Sequence, residues 1–169
     1  LSSAFSFDGM IDKFPPRKRF PEAPPPPQGV FEVRRKVSWQ EIDLAQHVNN
    51  AAYLNYIDDC GMQVIAAHHW PVQRMIREGF AIIIRKHQIH YASPAILDDE
   101  LSITTWVSDI RRSMATRHYV IHRVGDNAFI ASIHSLGVWV ELSSGSPIRI
   151  PQELLDDFAP NITTSSVDK

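Results

Sequence analysis

From Asp43 to Tyr53 the chain reads Asp-Leu-Ala-Gln-His-Val-Asn-Asn-Ala-Ala-Tyr. An acid (Asp43), an imidazole (His47) and two carboxamides (Asn49, Asn50) fall within eight residues, directly ahead of an amphipathic run. A carboxylate beside an imidazole can accept a proton, activate water or attack a carbonyl. A helix start adds unpaired backbone N–H groups and the positive end of the helix dipole, both suited to a developing negative charge. Each residue taken singly has a plainer reading. Asp43 then becomes a solvated turn acid, His47 a packed loop residue, and the two asparagines caps or loop locks.

The elements flanking this stretch must position it. Phe31, Val33, Arg35, Val37 and Trp39 alternate as one side of a strand. Tyr53, Tyr56, Ile57, Cys60, Val64 and Ala67 recur at three- and four-residue steps, which predicts a helix from about Asn50 to His68, ended by Pro71. From Phe80 the period shortens. Strands are predicted over 80–91, 100–110, 114–124 and 128–142, separated by Asp98-Asp99, Arg111-Arg112-Ser113 and Gly125-Asp126-Asn127. A final helical turn covers Pro151 to Phe158. Short connections predict antiparallel neighbours, and a lone helix must bury its face on their sheet.

Ahead of these elements, residues 1–29 carry Pro15, Pro16, Pro21 and Pro24 to Pro27. Such composition favours extended polyproline II over a core, so the segment reads as a linker or a surface-hugging arm. Met10-Ile11-Asp12-Lys13-Phe14-Pro15-Pro16 echoes Leu154-Leu155-Asp156-Asp157-Phe158-Ala159-Pro160, which suggests the tail of a preceding copy of the module. The first residue is not Met, so the chain is read as a processed product or a piece of something longer.

With 17 basic and 19 acidic residues the net charge is −2, which leaves no basic footprint for nucleic acid. No apolar run reaches the ~18–20 residues of a membrane span. Cys60, the single cysteine, excludes an intramolecular disulfide and a cysteine-rich zinc site, and fits a reducing, cytoplasmic compartment. None of the eight histidines forms a helical His-x-x-x-His pair with a carboxylate, so no metal is expected.

The stretch Trp39-Gln40-Glu41-Ile42-Asp43-Leu44-Ala45-Gln46-His47-Val48-Asn49-Asn50-Ala51-Ala52-Tyr53-Leu54, in this order of elements, resembles the opening motif of the hotdog-fold acyl thioesterases. The likeness is to the 4-hydroxybenzoyl-CoA thioesterase-like group and to the acyl-ACP thioesterases. Ile89-His90-Tyr91-Ala92-Ser93-Pro94-Ala95, Ile110-Arg111-Arg112-Ser113 and Ile148-Arg149-Ile150-Pro151 match further signatures. Two positions depart from it. Gln46 stands where a Gly commonly precedes the His, and Ala45 where the acyl-ACP branch has Asn.

The resemblance implies an α+β hotdog domain over residues 30–160, a five-stranded antiparallel sheet wrapped around one long helix, followed by a flexible tail over 161–169. It implies hydrolysis of acyl-CoA or acyl-ACP without a cofactor. Asp43 would act as general base or nucleophile, His47 and Asn50 would orient, and the Val48 and Asn49 N–H groups would meet the oxyanion. Tyr53, Ile57, Phe80 and Ile82 would shape the acyl pocket. Arg85, Lys86, Arg111 and Arg112 would take phosphates of CoA or of a carrier-protein arm. A homodimer, a homotetramer or pairing with a preceding hotdog module is expected. Two rival readings are a non-catalytic acyl-thioester-binding or regulatory domain and a hotdog hydratase or dehydratase.

Overall fold

The computed structural model describes residues 20–163. The echo at residues 10–16, the remainder of the Pro-rich segment before Phe20, and residues 164–169 lie outside it.

Alternation builds the sheet. Strands β1 (Phe31–Lys36), β2 (Phe80–Tyr91), β3 (Glu100–Ser108), β4 (Met114–Arg123) and β5 (Phe129–Glu141) are antiparallel throughout, in the order β1-β3-β4-β5-β2. The helix α1 (Ala52–Ala67) lies on one face. Its buried residues, Tyr53, Tyr56, Ile57, Cys60 and Val64, are the ones whose spacing announced it. Beneath its first half they pack with Leu101, Ile103, Ile121 and Ile133. Beneath its second half, Val64 joins Trp70, Phe80, Trp139, Leu154 and Phe158. The short helices α2 (Val72–Arg77) and α3 (Gln152–Phe158) close that end, and Trp70 Nε1 donates to Asp157 at 2.9 Å.

One connection differs from the expectation of neighbours joined by short turns. β2 and β3 do not pair. β2 forms one edge against β5, while β3 lies beside β1 near the other edge. The segment 92–99 crosses the end of the sheet under the helix start, where Ala95 accepts from the Val48 N–H and Asp99 from the Val37 N–H, both at 2.8 Å. The crossing brings the two stretches of the sequence signature together.

Two boundaries also shift. The sheet's other face is crossed by the segment from Phe20, whose ring lies 4.8 Å from that of His134 and 5.4 Å from that of His90. A Cβ at Gly29 would come within 2.4 Å of the Pro160 carbonyl oxygen, so only glycine fits that contact. The packed body continues to Thr163, past the boundary drawn at 160. Asn161 is fully buried and donates to the carbonyls of Gly29 and Thr105, and the Thr163 N–H donates to Val107.

Candidate active site

Glu41 anchors the loop that carries Asp43. Ser38 and Glu41 form a capping box around the 3-10 turn Trp39–Glu41. The Glu41 carboxylate also receives the Arg35 guanidinium and the Tyr56 hydroxyl, the latter at 2.8 Å. Arg35 in turn stacks 3.7 Å over the Tyr56 ring. Burial, and then the bond to Glu41, hold the Tyr56 phenol protonated well above its ordinary pKa. The start of α1 and the end of β1 are thus tied to the residue two before Asp43.

The Asp43 side chain folds back on its own loop. Oδ1 accepts the Ala45 N–H at 2.8 Å and lies 3.5 Å from the His47 nitrogen. The Asp43 N–H donates to the His47 carbonyl at 2.9 Å. One carboxylate oxygen is therefore fixed while the other makes no hydrogen bond among the described residues. Asp43 lines an open hollow with Trp39, Ile42, Gln46, Ile96 and Leu97. Trp39 is 73% exposed and Leu44 fully so, an apolar rim around a single acid. Gln46 has φ +64°, in the left-handed region that favours glycine.

The expected oxyanion donors are otherwise engaged. The Val48 N–H bonds Ala95, and the Asn49 N–H bonds the Glu41 carbonyl at 2.7 Å. Neither is free to meet a substrate oxygen, which corrects the expectation. Asn49 instead closes the turn that leads into α1, its Oδ1 accepting the Ala51 N–H at 2.8 Å and its carbonyl the Ala52 N–H. The Asn50 N–H makes no hydrogen bond among the described residues, and its own carbonyl accepts from Tyr91 Oη at 3.0 Å. The His47 ring and the Asn50 side chain make no hydrogen bond among the described residues, so neither orients Asp43 here. It is the His47 backbone that holds Asp43.

Of the four expected acyl-pocket residues, Ile82 borders a cavity. Tyr53, Ile57 and Phe80 are packed core, 3%, 1% and 3% exposed. The cavity, roughly 290 Å³, lies between α1 and the sheet and opens beside Asp58, Met62 and Ile84. Burial pushes the nearby Cys60 thiol up to about 12, which leaves it no nucleophile. Arg85 and Lys86 sit at a bulge midway along edge strand β2. Arg111 and Arg112 sit in the β3–β4 turn, beside the end of β5 where Trp139 pairs with Ile82. The Asp43 loop is at the opposite end of the sheet, by Tyr91 and Ala95. A single chain therefore does not bring Arg111 and Arg112 to Asp43.

A model of the Thioesterase-like superfamily matches residues 37–158, from the Asp43 loop through to α3. The chain belongs to this superfamily. The acyl-CoA thioester hydrolase YbgC of Escherichia coli O6:H1 is 24% identical over 130 residues, which is 76% of this chain and 96% of YbgC. The long-chain acyl-CoA thioesterase FadM of Escherichia coli K12 is 25% identical over 127 residues, 73% of this chain and 93% of FadM. Among solved structures, the 1,4-dihydroxy-2-naphthoyl-CoA thioesterase Slr0204 from Synechocystis superposes with a TM-score of 0.72 at 19% identity, covering 77% of this chain and 96% of Slr0204. The fold of this thioesterase-like chain is the hotdog fold that its motifs led one to expect.

Sequence reading passed over Arg117, Tyr119 and Trp139, which line the cavity of this thioesterase-like domain. Arg117 carried a signal nonetheless. It falls in the inward register of β4, between Ala115 and Tyr119, where a charge is out of place.

Proposed function

We propose that this chain hydrolyses acyl-CoA thioesters to the free acid and CoA, with Asp43 as the reacting carboxylate. The observation that carries the proposal is the asymmetry of that carboxylate: one oxygen held by backbone, the other turned to an apolar-rimmed hollow at a helix start. In the base route, Asp43 takes a proton from water as the oxygen attacks the thioester carbon. The tetrahedral oxyanion collapses, the C–S bond breaks, and the sulfur leaves as thiol with that proton. In the nucleophile route, the Asp43 carboxylate attacks the thioester carbon, the C–S bond breaks to release the CoA thiolate, and water hydrolyses the resulting anhydride, its released proton balancing the thiolate. We assign the oxyanion to the Asn50 N–H, which has no partner among the described residues, in place of Val48 and Asn49.

The working site comprises two hotdog units. The outer edge of β2 pairs with nothing among the described residues, and Ile83, Ile84 and neighbouring Met62 are 52%, 43% and 51% exposed there. Unprotected apolar edges pair. Antiparallel pairing of two β2 edges about a twofold sets the Tyr91 end of one unit beside the Phe80 end of the other. Asp43 of one unit then faces the cavity mouth, Arg111 and Arg112 of its neighbour. The neighbour is a second copy of this chain or a preceding hotdog module.

The test is a panel of acyl-CoAs and acyl carrier protein thioesters, with thiol release followed for each. Turnover of CoA thioesters that is lost in Asp43→Ala is expected. Tight binding without release on every substrate would make the chain a binding module and overturn the proposal. Single-turnover hydrolysis in ¹⁸O water tests the nucleophile route, since label found in Asp43 requires an anhydride opened by water at the aspartyl carbonyl.

A further inference from the structure

Arg117 presents an unmatched cation to the cavity between α1 and the sheet. Its only hydrogen bonds are long ones from Nη1, to Thr105 Oγ1 at 3.5 Å and Asn161 Oδ1 at 3.4 Å, both neutral acceptors. Nε and Nη2 make none among the described residues, and the guanidinium forms no ion pair there. Its other support is the Phe158 ring, 5.5 Å away. Asp58 lines the cavity mouth but does not pair with it. Burial pulls the Arg117 pKa below the arginine range, yet the group remains a cation at neutral pH. A cation without a counter-charge is costly inside a protein, and is retained where something anionic comes to it.

The neighbouring polar groups share one character. Tyr119 Oη, beside Gly61, makes no hydrogen bond among the described residues, and burial keeps its phenol protonated. Trp139 Nε1 is buried without an acceptor. The Nε and Nη2 of Arg117 and the Tyr119 hydroxyl border a cavity whose remaining wall is mostly apolar, while the indole N–H of Trp139 is closed off from it. Such a lining admits a hydrocarbon segment and asks for an oxygen anion on it. A cavity of about 150 Å³ accepts benzene, so roughly 290 Å³ holds a carboxylated ring or a six-carbon chain ending in a carboxylate.

We propose that Arg117, with Tyr119, forms a carboxylate-binding subsite in the acyl cavity, which makes the preferred substrates CoA thioesters of dicarboxylic acids or carboxylated aryl acids. This rests on the thioesterase reading for the chemistry, but not for the binding.

The test compares adipyl-CoA with hexanoyl-CoA, which differ in the terminal carboxylate alone, on the full chain, Arg117→Met and Arg117→Lys. The wild type is expected to favour adipyl-CoA by about tenfold or more in kcat/KM, as for a site built to bind the missing group. Arg117→Met loses that preference, its kcat/KM for adipyl-CoA falling to about that for hexanoyl-CoA. Arg117→Lys, which keeps the charge without the fork, falls between. The thioether analogues of both substrates are titrated in parallel by calorimetry. If neither thioester is hydrolysed but the adipyl analogue binds more tightly in an Arg117-dependent way, the subsite stands and the hydrolase reading falls. A wild type that treats the two compounds alike in turnover and in binding overturns the subsite, as does a preference that Arg117→Met leaves intact.

Discussion

Glu41 joins Ser38, Arg35 and Tyr56 through one carboxylate whose side chain is 17% exposed. Removing it leaves Arg35 over the Tyr56 ring with the exposed Asp59 carboxylate, 3.5 Å away, as its remaining counter-charge and its Nε already without a partner. Glu41→Ala is therefore expected to cost about 2–4 kcal/mol, read as a lower urea midpoint at unchanged slope, and to lower kcat by loosening the Asp43 loop. Glu41→Gln, which keeps an acceptor for Tyr56, costs less. At this scale Asp43 was legible because its neighbours in sequence are also its neighbours in space: the Ala45 and His47 N–H groups lie within four residues of it. The status of Val48 and Asn49 was not legible. Their N–H groups are used by Ala95 and Glu41, and the Ala95 contact exists only because the 92–99 segment crosses the sheet end.

Among the elements, α1 and β1 could be read from period alone, because each buries one face and exposes the other, whereas β5, buried on both faces over most of its length, was legible from its length between turn signals. Strand order could not be read, since nothing in the sequence of β2 says which edge it takes. The side of the sheet away from α1 holds a second feature. His118 is 2% exposed, its Nε2 lies 2.7 Å from Ser108 Oγ, and Ser108 donates to Asp109. Its ring packs edge-on to His134 at 4.6 Å and stacks on Trp106, while its Nδ1 is buried without a partner. Desolvation, and then His134, lower its pKa to about 4. The unfolded chain takes up this proton from about pH 6.5 downward, whereas the folded chain excludes it until about pH 4. The contribution is complete above pH 6.5 and is lost as pH falls, at up to ~1.4 kcal/mol per unit. Urea unfolding of the wild type between pH 7 and pH 4.5 is expected to show this slope, and His118→Gln to flatten it.

For the whole molecule, the separation of Asp43 from Arg111 and Arg112 along one sheet is the reason to expect a paired assembly. Ile83 lies on the unpaired edge and does not line the cavity, so Ile83→Asp perturbs pairing and spares the pocket. Sedimentation is expected to show loss of the assembled species, with kcat/KM reduced by about tenfold or more; an Ile83→Asp variant that is monomeric and fully active would refute the shared site. The central claim is narrower: Asp43 performs the hydrolysis. It is tested most directly by Asp43→Asn, which keeps an Oδ1 acceptor for the Ala45 N–H and removes only the charge. On an acyl-CoA that the wild type turns over, the account predicts kcat lower by about a hundredfold or more, with the unfolding midpoint unchanged. An Asp43→Asn enzyme working within about twofold of the wild-type rate would contradict it.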